Sequence, residues 1–208
     1  MVAFLFPIKE LVAKYDQLTQ ENIMQTRCQW VTPDPLYIDY HDHEWGVPVY
    51  DSLKLFAMLN LEGQQAGLSW ITVLKKRERY NQCFLQFDPE RVSKFTHKNI
   101  EALLRDEGLI RNRLKIETII SNAQAYLKYT EAGGDFSAFL WSYVENKPML
   151  LTGHPDLQPL AIQRSVAMAL KLKKMGFKYV GATICYAFMQ AIGMINQHDA
   201  ECFKHQNK

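Results

Sequence analysis

A chain of 208 residues with 48% hydrophobic and 22% charged residues has ample length for one buried core, in one lobe or two, and is too apolar and too varied to be a disordered or low-complexity chain. A net charge of +2 identifies no partner class, and the cysteines at 28, 83, 185 and 202 are too few and too irregularly spaced for a disulfide framework, so a reduced, cytoplasmic setting fits better. No stretch is long and apolar enough to cross a bilayer, and Val2 to Ile8 carries Pro7 without the basic start or small-residue end of a signal peptide.

Residues 1–25 read as an N-terminal extension holding an amphipathic helix from roughly Pro7 to Leu18, with residues 26–208 as the main domain. The character changes at Cys28-Gln29-Trp30-Val31. From there to Tyr50 the chain is rich in Pro, Asp, His and aromatics without a clear period, which predicts an ordered irregular loop that something must hold in place. Beyond it the pattern is helical. Asp51 is an N-cap for a helix carrying Leu53, Phe56 and Leu59. A second helix from about Leu68 carries Ile71, Val73, Leu74 and Tyr80, and Asp88-Pro89 opens a third. Ile100, Leu103 and Leu104 lead to Gly108 as a stop, and Ile116, Ile119, Ile120, Ala123 and Leu127 form the longest stripe, ended by Gly133-Gly134. A short helix spans Phe136 to Tyr143. Residues 146–160 connect it to a helix ending near Met175, and a last helix covers about Ala182 to Ile195. Only Met149 to Thr152 has strand character, so the fold class is all-α.

Glu62 stands where the Asp51 helix runs out, within Leu61-Glu62-Gly63-Gln64-Gln65-Ala66-Gly67-Leu68-Ser69-Trp70. A carboxylate there is either a solvated helix end or one wall of a pocket. Gly63 and Gly67 for close backbone approach, Gln64 and Gln65 as amides and Trp70 as a flat face suit a pocket for a flat polar molecule. Tyr37, Tyr40 and Trp45, within nine residues of the irregular loop, either form a small core beneath it or join Trp70 around a cavity; an aromatic box beside one carboxylate suits a flat cation.

Between the last two helices, Lys174-Met175-Gly176-Phe177-Lys178-Tyr179-Val180-Gly181-Ala182-Thr183 makes a glycine-containing hairpin. Gly181 at a helix start leaves backbone N–H groups facing outward, and Lys178 stands beside it, which suits a phosphate bound without sequence reading. Basic residues also cluster at 75–79, 111–115 and 171–178, either as solvated helix faces or as one surface for a polyanion.

His198 and Cys202, four apart, share a face if the chain stays helical past Ile195. With Cys28 and His41 from the unsupported loop they would complete a tetrahedral, water-free coordination sphere, hence one structural zinc; the competing reading is two buried thiols and two surface histidines. His43, His97, His154 and His205 read as ordinary surface histidines.

Several of these segments together resemble the DNA-3-methyladenine glycosylase I family. They are Cys28-x-Trp30, Asp34-Pro35-Leu36-Tyr37-x-x-Tyr40-His41-Asp42-x-Glu44-Trp45-Gly46-Val47-Pro48, the stretch from Leu61 to Trp70 continuing through Lys76-Arg77, and Gly176-Phe177-Lys178-x-Val180-Gly181. The resemblance covers about Arg27 to Cys202. It implies a helix-hairpin-helix fold, with zinc tying the N-terminal loop to the C-terminal segment. The implied activity is monofunctional hydrolysis of the N-glycosidic bond of 3-methyladenine in alkylated double-stranded DNA, releasing the free base, by a monomer with no membrane role. Carried over residue by residue, Glu62 hydrogen-bonds the base as the catalytic acidic residue. Tyr40 and Trp70 stack on it, Trp45 and Tyr37 complete the pocket, and Cys28, His41, His198 and Cys202 hold the zinc. Gly67 and Leu68 probe the duplex, while Lys178 and Gly181 contact its backbone. Leu114 replaces a glycine expected in an Arg-x-Arg-Gly-Lys run. Asp199, beside a zinc ligand, reads as a helix-surface residue or a support for that ligand rather than a catalytic aspartate.

Three rivals stand beside this reading. A non-catalytic reader of alkylated bases would use the same pocket. An iron–sulfur endonuclease would need four clustered C-terminal cysteines, where only Cys202 stands. A metallohydrolase would need a three-ligand zinc with a bound water. No lysine stands at an evident nucleophile position, so Schiff-base strand cleavage is not expected.

Overall fold

Helices form where the sequence supplies both a cap and an apolar stripe. The computed structural model describes residues 25–205; the helix expected over Pro7 to Leu18 lies outside the described residues. Asp51 caps α2 (Ser52–Gln64), its carboxylate accepting from the Lys54 N–H at 2.8 Å. Asp88 caps the short α5 (Pro89–Val92), Asn112 caps α7 (Arg113–Glu131), and Asp135 caps α8 (Phe136–Trp141). The same device acts at Asp34-Pro35, where the irregular loop had been expected. There α1 (Pro35–His43) begins with Asp34 accepting from the Leu36 N–H at 3.1 Å and proline in the first turn. Its helical period is hidden because aromatic and polar residues are buried on more than one side of it.

The helix expected from Leu68 is two helices, α3 (Trp70–Leu74) and α4 (Arg77–Cys83), broken at Lys75-Lys76. At the break both side chains are committed elsewhere, Lys75 to Asp34 at 2.6 Å and Lys76 to the Glu107 carbonyl at 2.7 Å. Next, α6 (His97–Arg105) ends one residue before an extended Asp106, so Asp106 rather than Gly108 stops it; its carboxylate accepts from the Gly108 N–H and pairs with Arg79.

The core forms where α2 packs between α7 and the last helix, α10 (Ala182–Ala191), against which α9 (Gln158–Lys174) also packs. Phe56, Leu59, Ile116, Ile119, Ala123, Leu172, Phe188 and Met189 fill it, all buried. A Schellman turn ends α9: the Gly176 N–H bonds to the Lys173 carbonyl and the Phe177 N–H to the Leu172 carbonyl. Gly176 takes φ +100° there, which a side chain would disfavour.

The last helix stops at Ala191, short of Ile195. The backbone after it bonds to the segment following α1, Gly46 N–H to Ala191 and Val49 N–H to Ile192. Gly193, at φ +74°, lies so close that a Cβ would meet the Pro48 nitrogen at 2.5 Å. The freed chain forms β2 (Ile195–Asn196), parallel to β1 (Met149–Leu150) inside the stretch where a strand was expected. Among the described residues no helix is long and apolar enough to cross a membrane.

Candidate functional site

Glu62 lies in the last turn of α2 and is 3% exposed. Among the described residues no donor or cation is paired with its carboxylate. Desolvation pushes this carboxyl from its ordinary 4.5 up to about 8. It opens onto a cavity of about 320 Å³ whose walls include Trp30, Tyr37, Tyr40, Trp45 and Trp70. All four aromatics expected there, Tyr37, Tyr40, Trp45 and Trp70, are present. Tyr40 and Trp70 stand 5.5 Å apart, and Trp30 is 5.0 Å from Tyr37 and 5.1 Å from Trp45. Burial and the neighbouring Glu62 raise the Tyr40 phenol, which therefore stays protonated. The indole N–H of Trp70 is buried without a hydrogen-bond partner. A buried acid and a buried N–H, both left unused by the fold, cost stability and are the features of a site built for something else.

The raised Glu62 carboxyl makes stability depend on pH. Between about 4.5 and 8 the folded chain holds a proton that the unfolded chain has released, so stability falls as pH rises across that window. The penalty is complete above pH 8, at up to roughly 4–5 kcal/mol. Glu62→Gln is expected to leave stability near that of the parent at pH 4.5 and to exceed it increasingly toward pH 9, read by denaturant titration at both pH values. A constant gap would mean that the carboxyl ionises freely in the folded chain.

Not every residue expected at the pocket reaches it. Gly63 faces away: a Cβ there would meet the Cβ of Tyr179 at 3.1 Å. Gln64 is buried on the far side, accepting from the Tyr80 hydroxyl at 3.0 Å and donating to the Lys115 carbonyl at 3.3 Å. Gln65 does line the cavity. So do Trp30, Gln190, Gln197 and Asp199, which sequence reasoning did not nominate for the pocket. Their signal was adjacency: Trp30 lies two residues from Cys28, while Gln197 and Asp199 flank His198. Gln197 is oriented by the Tyr186 hydroxyl and the Gln190 amide, which both donate to its carbonyl. Asp199 is not on a helix; its carboxylate accepts from the Gln29 N–H at 2.7 Å.

Behind Trp45 lie the four expected metal-ligating residues. Cys28, His41, His198 and Cys202 are all buried, and one ligand atom from each falls within 4.8 Å of all the others. His198 and Cys202 meet not along a helix but through a turn after β2, since the helix ends at Ala191. Cys28 Sγ is 3.4 Å from His198 Nδ1, and Cys202 Sγ is 3.4 Å from His41 Nε2 and 3.7 Å from His198 Nδ1. Bonds of about 2.0–2.3 Å to a tetrahedral zinc imply ligand separations of about 3.3–3.8 Å, so this donor set fits such an ion. The surroundings fit as well. The N–H groups of Asp199 and Lys204 donate to Cys28 Sγ and Cys202 Sγ, which suits thiolates. Asp42 holds His41 Nδ1 at 2.7 Å and is itself gripped by Arg27. Burial lowers both histidines, His198 to about 4, so they are neutral donors, and without a cation it pushes the Cys28 thiol up to about 12. The other histidines are exposed at 43, 97 and 154 and half-buried at 205.

The turn after α2 places Gly67 at φ +74° with open space around it and leaves Leu68 40% exposed. At the α9–α10 hairpin Lys178 is exposed, and Gly181 is the N-cap of α10 with nothing within 4 Å of a would-be Cβ. Of the three basic clusters, two are engaged by acids or buried: Arg77 with Glu44, Arg79 with Asp106, Arg113 with Glu101, and Lys115 in the core. Lys171, Lys173, Lys174 and Lys178 are exposed and make no ion pair with any described residue.

The sequence profile described as methyladenine glycosylase matches residues 30–205. The chain belongs to the methyladenine glycosylase family. Two relatives in that family are the DNA-3-methyladenine glycosylase of Haemophilus influenzae, 51% identical over 86% of this chain and 97% of that one, and DNA-3-methyladenine glycosylase 1 of Escherichia coli, 54% identical over 85% and 95%. A solved structure of the family's 3-methyladenine DNA glycosylase I from Staphylococcus aureus, concerned with recognition of 3-methyladenine, is 40% identical to this chain. It aligns with a TM-score of 0.81 over 88% of this chain and 97% of that one.

Proposed function

We propose that this chain excises 3-methyladenine from alkylated double-stranded DNA by hydrolysing its N-glycosidic bond, and that it works as a cytoplasmic monomer. The observation that carries the reading is a buried carboxylate, Glu62, paired with no described residue, at the wall of a cavity lined by aromatic rings. Methylation at N3 makes the adenine of a nucleotide a cation and weakens its glycosidic bond, because the base departs neutral. The protein then needs no strong acid. It must extrude the nucleotide, hold the flat cation and leave water to attack an oxocarbenium-like sugar. Glu62 accepts hydrogen bonds from the edge of the base and balances its charge, while Tyr40 and Trp70 stack on its faces and Trp45 and Tyr37 close the pocket. Stacking of a desolvated cation on such rings contributes roughly 1–2 kcal/mol.

The rest of the site serves extrusion. In this reading the α9–α10 unit is the helix-hairpin-helix of the family within a two-lobed domain over residues 26–208. Backbone N–H groups near Gly181, with Lys178 beside them, grip a phosphate. Gly67 and Leu68 form a wedge that offsets the few kcal/mol of unstacking. One structural zinc on Cys28, His41, His198 and Cys202 ties the segment before α1 to the C-terminal segment; all four positions are protein ligands, so it supplies cross-linking and no chemical step. Lys178→Ala is expected to weaken duplex binding without changing base preference and to make the slope of log K against log salt shallower by about 1. An unchanged slope would remove Lys178 from the interface.

The deciding experiment measures free 3-methyladenine released from methylated duplex DNA. Release supports the enzyme; tight binding without release supports the alternative, a non-catalytic reader of alkylated bases.

A further inference from the structure

The far side of α2 is held by a single buried polar row on α7. Lys115, Thr118 and Asn122 are spaced three and then four residues apart, so they share one helix face, and all three are buried. The Thr118 hydroxyl makes no hydrogen bond to a described residue. Polar side chains in a helix interface cost stability unless they are partnered, so the partners of Lys115 and Asn122 indicate their purpose. Lys115 Nζ donates to the carbonyls of Gln64 and Ala66 at 2.7 Å each, placing a cation on the carbonyl end of α2 and pinning the turn that leads to Leu68.

Asn122 reaches in two directions. Its Oδ1 accepts from the Lys178 N–H at 2.8 Å, and its Nδ2 donates to the Lys178 carbonyl at 3.2 Å, so one amide grips the hairpin residue by both of its backbone polar atoms. The same Nδ2 donates to Asn60 Oδ1 at 3.0 Å, and Asn60 is anchored to the Phe56 carbonyl at 2.8 Å. On the next hairpin residue, Tyr179 takes φ +53° and presses its Cβ and carbonyl to within 3.1 and 3.3 Å of where a side chain on Gly63 would begin. A non-glycine residue persists in that region only where its surroundings impose it. On either side of Glu62, Asn60 is thus linked to the hairpin through Asn122, and Gly63 packs closely against Tyr179.

We infer that Asn122 is a positioning residue: it holds the backbone of Lys178 in register with α2, so that a phosphate gripped at the hairpin and a base gripped at Glu62 span one fixed distance. This rests on the reading of hairpin and cavity proposed above. The test measures three quantities for Asn122→Ala and Gly63→Ala. They are the single-turnover rate of base release from methylated duplex, the affinity for free 3-methyladenine by tryptophan quenching, and the thermal midpoint. Because a displacement near 1 Å costs about 100-fold in a positioned reaction, both variants are expected to slow release by about 10- to 100-fold. Their affinity for the free base should stay that of the parent, since Glu62 and the aromatic walls are untouched. Parental release from a folded Asn122→Ala overturns the inference, as does release falling in step with free-base affinity. If Asn122→Ala does not fold, Gly63→Ala decides alone, because it removes no hydrogen bond and only pushes Tyr179 away. A parent chain that releases no base overturns the activity and this inference with it, whereas parental rates in both variants overturn the positioning role alone.

Discussion

Replacing Glu62 by glutamine is expected to lower kcat/KM for 3-methyladenine excision by about 100-fold while leaving the chain folded. Glutamine keeps the shape and one acceptor oxygen but removes the charge. Among the described residues the one other acid lining the cavity is Asp199, whose carboxylate accepts from the Gln29 N–H. A cationic base that leaves water for this cavity loses its hydration, and Glu62, which no described residue pairs, can return that energy as a charge pair. The same argument fixes a pH dependence. The free carboxyl titrates at about 8, and pairing with the base requires its ionised form. The kcat/KM profile should therefore rise with pH toward a plateau just above that value, while kcat, measured with the cation in place, reaches its plateau at lower pH. In Glu62→Gln the rising limb should vanish. Excision at the parental rate by the variant, or a profile unchanged by it, would make Glu62 a buried remnant of packing. Unfolding of the variant would mean that the carboxylate supports the fold, contrary to the stability gain expected at high pH.

How much of this site could be read from residues alone depends on whether the signal was local. Asp51, Asp88 and Asp135 each sit next to the helix they cap, and those helices begin where expected. Asp34-Pro35 carries the same signal, yet α1 escaped notice because tyrosines, histidines and aspartates alternate through it without an apolar face. That helix is buried on several sides at once, by the cavity and by the metal cluster. The end of α10 was misplaced although a local signal exists. Gly193, just past the Ile192 cap, takes φ +74° as a helix-ending glycine, and its close packing on the backbone of Val47-Pro48 fixes the stop there.

Ligand chemistry was more legible than the path of the chain. Two cysteines and two histidines were identifiable by type, although the helical spacing invoked for His198 and Cys202 does not exist. Conversely, Gln64 and Lys115 looked like a pocket amide and a surface cation. Both are buried, because the polar groups they satisfy belong to segments about 50 residues away, which no local pattern reveals. Gln197 and Asp199 line the cavity for a similar reason: the chain around His198 carries its neighbours to the wall with it.

Replacing Cys28 or Cys202 by serine, or stripping the metal with a chelator, is expected to destabilise the chain by on the order of 4–5 kcal/mol. For a domain of this size that is a fall in thermal midpoint of roughly 10–20 °C. The reason is topological as well as chemical. The four candidate ligands come from residues 28, 41, 198 and 202, so an ion held there would join the start of the described chain to its end across α1. Its histidines also support the cavity: the ring of His198 meets Trp45 edge-on at 4.6 Å, and His41 packs against Trp30 at 5.3 Å. Removing such an ion would leave two thiols and two imidazoles buried with nothing to hold them together, and would free the walls formed by Trp30 and Trp45. Base release and affinity for free 3-methyladenine should then fall together, unlike the separation expected for Asn122→Ala. Metal analysis should find one zinc per chain, with chelation acting on stability and activity at the same concentration. A chain that purifies without metal and ignores the chelator would leave the cluster as a set of packed thiols and imidazoles. Chelation that abolished excision without moving the thermal midpoint would instead require an ion with an open coordination position, which four protein ligands do not leave.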